Sequence, residues 1–83
     1  MELSAKIEER LCIVTVHAAR IDAVVAIEFK DHLRDATKNA PAHVLLDLSA
    51  VTFVDSSGLG AIVAAMKFLA PEQKLSLCGL TPM

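Results

Sequence analysis

Alternation of apolar and polar residues opens the chain: in Leu3-Ser4-Ala5-Lys6-Ile7-Glu8 the odd positions are apolar and the even ones polar. That period predicts a strand with one wet face, placed at a sheet edge. Glu9-Arg10 is a short polar connection into Leu11-Cys12-Ile13-Val14-Thr15-Val16, a β-branched run that predicts a strand buried on both faces and paired with the first as a hairpin. Past His17, Asp22 has the short carboxylate of a helix N-cap, and the spacing predicts a helix from Ala23 to about Lys38. Its apolar stripe is Ala26, Phe29, Leu33 and Ala36, with Glu28, Lys30, Asp31, Arg34 and Lys38 facing water. Asn39, Ala40 and Pro41 end it.

Val44-Leu45-Leu46-Asp47-Leu48 predicts the next strand, and a helix joining two strands in this way implies a parallel, right-handed crossover. Ser49 to Val54 reads as a connection. Leu59, Ile62, Val63, Met66 and Leu69, at offsets 0, 3, 4, 7 and 10, predict one face of a second helix. Ala70-Pro71 stops it, Glu72-Gln73-Lys74 turns, and Leu75-Ser76-Leu77-Cys78 forms a last strand. The order β-β-α-β-α-β predicts one α/β domain over residues 1–83, with a small mixed four-stranded sheet and helices packed on it.

Composition narrows the functional classes. A chain of 83 residues that is 54% hydrophobic, with a mean hydropathy of +0.52, is apolar for a domain expected to bury only about 60% of its unfolded surface. Apolar surface left for a partner, or for a second copy in a homodimer, is the implication. The longest apolar stretch, Gly58 to Met66, is stopped by Lys67, far short of the ~20 residues of a membrane span. The amino terminus lacks the pattern of a secretory signal, so a cytoplasmic location is expected.

Ten acidic and eight basic residues give a net charge of −2, and the cations are scattered, so no stripe suits direct nucleic-acid binding. Phe29, Phe53 and Phe68 are the only aromatic residues, too few for a base-stacking platform. Cys12 and Cys78 lie in apolar runs and read as core thiols. His17, His32, His43 and the cysteines show no metal-ligand spacing, so no metal and no cofactor are expected.

One segment stands apart. Asp55-Ser56-Ser57-Gly58-Leu59-Gly60 places two hydroxyls at the entrance of the second helix, where unpaired N–H groups and the helix dipole favour an anion. It is no nucleophile elbow, which needs Gly two places before the serine, because Val54 and Asp55 stand at those places. It lacks the Gly-Lys of a P-loop, and Val63 replaces the third glycine of a dinucleotide fingerprint. An ordinary N-cap accounts for one such residue but not for three in a row followed by Gly58 and Gly60, glycines expected to let another backbone approach closely.

With this element order, Val54-Asp55-Ser56-Ser57-Gly58-Leu59-Gly60 resembles the STAS domain of bacterial anti-sigma factor antagonists over essentially the whole chain. The resemblance implies a binding module and not an enzyme. It implies phosphorylation on the serine before the first glycine, Ser57, with Ser56 as the alternative, by an anti-sigma factor that is an ATP-dependent serine kinase, and resetting by a phosphoserine phosphatase. Asp22, Asp55, Ser56, Ser57, Gly58 and Leu59 are the partner-binding residues it implies. Two departures are Ala19, where the family often has Gly, and Val25, where it often has Thr. A third is the absence of the helix that usually follows the last strand, which implies C-terminal truncation and an exposed apolar patch bordered by that strand. The alternatives within the same resemblance are a regulatory subunit of a lipid-transport ATPase complex and a scaffold of a stress-signalling assembly.

Overall fold

A computed structural model describes residues 1–38, 40–69 and 73–79. Strands β1 (Leu3–Glu8) and β2 (Leu11–Val16) form the expected antiparallel hairpin, turning at Glu9 with a φ of 53°. Next come β3 (Arg20–Ile21), α1 (Ala26–Thr37), β4 (His43–Asp47), β5 (Phe53–Val54), α2 (Ser56–Phe68) and β6 (Lys74–Cys78). The main sheet runs β1-β2-β4-β6, with β4 parallel to both β2 and β6, so it is the mixed four-stranded sheet that the sequence predicts and β1 is an edge.

Strand periodicity decides what is covered. Cys12, Val14 and Val16 of β2 and Val44 and Leu46 of β4 are wholly buried, while Leu11, Ile13, Thr15, Leu45 and Asp47 between them are half-buried. Both helices therefore pack on one face, and β2 is not buried on both faces as its continuous apolar run suggests. The core joins these strand residues to Phe29 and Leu33 of α1 and to Ala61, Ile62 and Ala65 of α2. Thr37 is buried as well, its hydroxyl donating to the Leu33 carbonyl at 2.9 Å, the usual way for a threonine to satisfy itself inside a helix.

The start of α1 and the connection before α2 also need correction. Helix α1 begins at Ala26, not at Ala23, and its N-cap is Val25, which has no side-chain acceptor to offer. Asp22 instead closes a turn, its Oδ1 accepting the Val24 N–H at 3.2 Å and its carbonyl the Val25 N–H at 3.1 Å. The connection from Ser49 to Val54 ends in β5, which pairs in parallel with β3 as a separate two-stranded sheet, Arg20 opposite Phe53 and Ile21 opposite Val54.

The largest correction concerns α2. Its inner face is Gly58, Ala61, Ile62 and Ala65, while Leu59, Val63 and Met66 are 57%, 45% and 46% exposed. Apolar residues lie all round this helix, and of the expected face only Ile62 is buried, beside Gly58, Ala61 and Ala65.

Among the described residues, Ile7, Val24, Ile27 and Phe53 are the other large apolar side chains left exposed, and none lies in β6, whose Leu75 and Leu77 are half-buried against the core. The expected stop at Ala70-Pro71, Asn39 at the end of α1, Glu72 in the turn and the chain after Gly79 fall outside the described residues.

Candidate functional site: the entrance to α2

The small β3–β5 pair positions the motif. Its register brings residues 22 and 55 side by side as each strand ends and the chain turns toward a helix. Asp55 has an extended backbone, with φ −91° and ψ −176°, and its N–H donates to the Ile21 carbonyl at 3.3 Å. Its two carboxylate oxygens then serve both helix entrances: Oδ1 accepts the Gly58 N–H at 2.8 Å, capping α2, and Oδ2 accepts the Ala23 N–H at 3.1 Å. The cap is thus the aspartate, not either serine.

That division of labour leaves the serines unoccupied. Ser56 and Ser57 are the first two residues of α2, both exposed, and neither hydroxyl has a hydrogen-bond partner among the described residues. Backbone N–H groups in a first helical turn have no intrahelical acceptor, so the field at this entrance favours an anion.

The two glycines differ. A Cβ on Gly58 would lie 2.0 Å from the Ile21 carbonyl oxygen, so only glycine lets α2 approach β3 so closely. At Gly60 a Cβ would meet nothing within 4 Å, so the expectation of close backbone approach holds at Gly58 alone. Gly58 is buried, and its part in the site is spacing; Leu59, beside it, points outward.

Asp22, half-buried, lies across from Asp55. Its Oδ2 accepts from Arg20 Nε at 3.2 Å, and that guanidinium, helped by the N–H groups of Val24 and Val25, holds the carboxyl below the usual carboxylate range. Arg20 also lies over the Phe53 ring, 4.2 Å from its centroid. Sequence reasoning missed Arg20, Phe53 and the Ala23 N–H, because nothing in the spacing shows that two dipeptides more than thirty residues apart pair as strands.

No group of three His, Cys, Asp or Glu among the described residues is placed to hold a metal ion. Cys12 is buried, which pushes its thiol pKa up, and Cys78 is half-buried; both are free. His43 is the exposed first residue of β4 and His32 is exposed on α1. No helix among the described residues is long and apolar enough to cross a membrane.

A STAS domain family model matches residues 2–83. The chain belongs to the STAS domain family. No curated protein matches it by sequence. Among solved structures, this STAS domain is similar to an anti-sigma factor antagonist from Mycobacterium paratuberculosis, with a TM-score of 0.79 and 25% identity over 92% of this chain and 64% of that one. The chain thus spans less than two thirds of that relative. It is also similar to murine Solute Carrier 26 family member A9, an anion transporter, with a TM-score of 0.80 and 18% identity over 93% of this chain but 13% of the transporter. The third relative is the anti-sigma factor antagonist SpoIIAA, in unphosphorylated form (TM-score 0.70, 18% identity, 98% of this chain and 76% of that one) and in the phosphorylated form from Bacillus (0.65, 15%, 98% and 75%). The last two likenesses are of fold. The STAS domain here has the architecture of the antagonists, and its exposed serine pair stands where its second helix begins.

Proposed function

We propose that this STAS domain is a cytoplasmic anti-sigma factor antagonist whose binding face is switched by phosphorylation of Ser57. The observation that carries the reading is the division at the motif: Asp55 does the capping, and Ser57 is left exposed and unbonded at the helix entrance. Unmodified, the face around Asp22, Asp55, Ser56, Ser57 and Leu59 binds an anti-sigma factor that is also a serine kinase, and so frees a sigma factor for transcription.

In the transfer itself the domain is substrate. The Ser57 Oγ forms a bond to the γ-phosphorus of ATP held by the kinase, the β–γ anhydride P–O bond breaks, ADP leaves, and the hydroxyl proton passes to a base of the kinase. The phosphoserine adds about −1.5 to −2 charges beside Asp22 and Asp55. Each repulsive contact of ~1.4 kcal/mol at the interface weakens binding about tenfold, so a few suffice with no change of fold. A phosphoserine phosphatase resets the face by hydrolysing the ester.

Mass spectrometry of the protein purified from its native cells is expected to map phosphate to Ser57. With a purified anti-sigma factor kinase that binds the domain, Ser57→Ala abolishes incorporation while retaining binding, and Ser57→Asp binds at least tenfold more weakly. Full phosphate incorporation into Ser57→Ala, or wild-type affinity of Ser57→Asp, overturns the assignment.

A further inference from the structure

A long cation lies next to the motif with most of its hydrogen-bonding capacity unengaged. Arginine carries five N–H donors in a planar fork. In Arg20 one of them, Nε–H, reaches Asp22, and the rest have no acceptor among the described residues. The side chain is 60% exposed, yet it is not loose, because the Phe53 ring lies beneath it at 4.2 Å and Asp22 holds it from the side. The guanidinium is therefore ordered while most of its fork remains available.

The backbone brings the residue that carries this fork close to Ser57. The Ile21 carbonyl lies against Gly58 so closely that a Cβ there would be 2.0 Å away. Arg20 is the chain neighbour of one member of that contact and Ser57 is the neighbour of the other, each one Cα–Cα step of about 3.8 Å from it. Both are exposed, and Arg20 alternates with the buried Ile21. Arginine is the longest of the cationic side chains, and a phosphoryl group lengthens the serine.

We infer that Arg20 is the receptor for a phosphoryl group on Ser57, its guanidinium leaving Asp22 to pair with the phosphate. This rests on the reading of Ser57 as the modified residue. The exchange is favoured because a phosphate dianion offers three acceptor oxygens and more charge than a carboxylate, in a geometry that suits a bidentate fork. What it displaces is one exposed contact of 3.2 Å, a class of ion pair that contributes little. Phosphorylation then does more than add repulsion. It moves the cation within the binding face, from Asp22 to Ser57, strips Asp22 of its counter-charge and uncovers Phe53, so the partner meets a rearranged surface on an unchanged fold.

The test needs no kinase. Phosphoserine is installed at position 57 of the full chain by genetic encoding, and the second ionisation of the phosphate is followed by ³¹P NMR in wild type, Arg20→Gln and Arg20→Lys. A guanidinium paired with the dianion lowers that pKa, so the Gln variant titrates higher by roughly 0.5 or more, with Lys, a point charge without the fork, in between. In wild type the Arg20 Nε–H resonance also moves when position 57 carries phosphate. Equal phosphate pKa values in wild type and Arg20→Gln, or an Nε–H resonance indifferent to the phosphate, overturn the inference. Ser57 found unmodified in cells would defeat the switch and leave this coupling intact, whereas an uncoupled phosphate defeats the receptor and leaves the switch standing.

Discussion

The carbonyl oxygen of Ile21 occupies the space where a side chain at Gly58 would begin, 2.0 Å from the ideal Cβ position. This contact sets both the distance of α2 from β3 and its rotation. With Gly58 turned toward β3, residues three, four and seven further on follow it inward, and these are Ala61, Ile62 and Ala65.

Gly58→Ala is expected to destabilise the domain by about 1–3 kcal/mol, because overlap with a backbone atom outweighs the gain of about 1 kcal/mol in helix propensity. Gly60→Ala meets open space inside the same helix and is expected to stabilise by up to about 1 kcal/mol. Urea unfolding of the two variants reads opposite shifts in midpoint; shifts of the same sign would refute the contact.

Asp55 ties the two helix entrances together. Asp55→Ala loses the α2 cap and leaves the Ala23 N–H without its acceptor, for an expected cost of about 1–2 kcal/mol. Asp55→Asn keeps one acceptor oxygen and is expected to fall between Ala and wild type. Ser56→Ala, which removes an unbonded exposed hydroxyl, should leave the unfolding free energy within about 0.5 kcal/mol of wild type. A Ser56→Ala as damaging as Asp55→Ala would show that the hydroxyl shares the capping.

Neighbouring positions on α2 should respond very differently. Ile62→Ala removes a buried side chain and is expected to cost about 2–4 kcal/mol, while Val63→Gln, next along the chain but exposed, should change stability by less than about 0.5 kcal/mol. Equal losses at the two sites would mean that the helix is rotated from the position described.

Acid should act through Asp22 and Asp47, whose carboxyls are held below the ordinary 3.8, the first mainly by Arg20 and the second by Ser49. A depressed folded-state pKa favours the charged form in the fold. The stability it contributes is complete above the unfolded value and is lost as pH falls through the folded one, so the loss belongs below about pH 4. In a carboxyl NMR titration Asp22 is expected to have its midpoint under 3.8 and to climb toward that value in Arg20→Gln. An Asp22 midpoint indifferent to Arg20 would remove the ion pair from the account.

Much of this was legible in local pattern. Alternation in the first strand and short apolar, β-branched runs in the others gave the hairpin and the four main strands to within a residue or so, because strand propensity and pleat act over a few residues. The run from Asp55 to Gly60 announced the entrance of α2 because capping is a short-range interaction between an aspartate and an N–H three residues on. Asp22 misled for the same reason: it has the chemistry of a cap, and it does close a local turn, but α1 starts later, at Ala26, with Val25 as its N-cap.

The sequence by itself therefore determined the four main strands, the two helices between them and the place of the serine pair, which follow from local pattern and short-range capping, and from their order the mixed sheet. Tertiary structure alone decided which side of α2 faces inward, since its apolar residues encircle it and only the meeting of Gly58 with Ile21 selects Ala61, Ile62 and Ala65 over Leu59, Val63 and Met66. It also decided that Arg20 lies over Phe53 and that Asp55 reaches Ala23, because β3 and β5 are two residues each and owe their pairing to the packing around them.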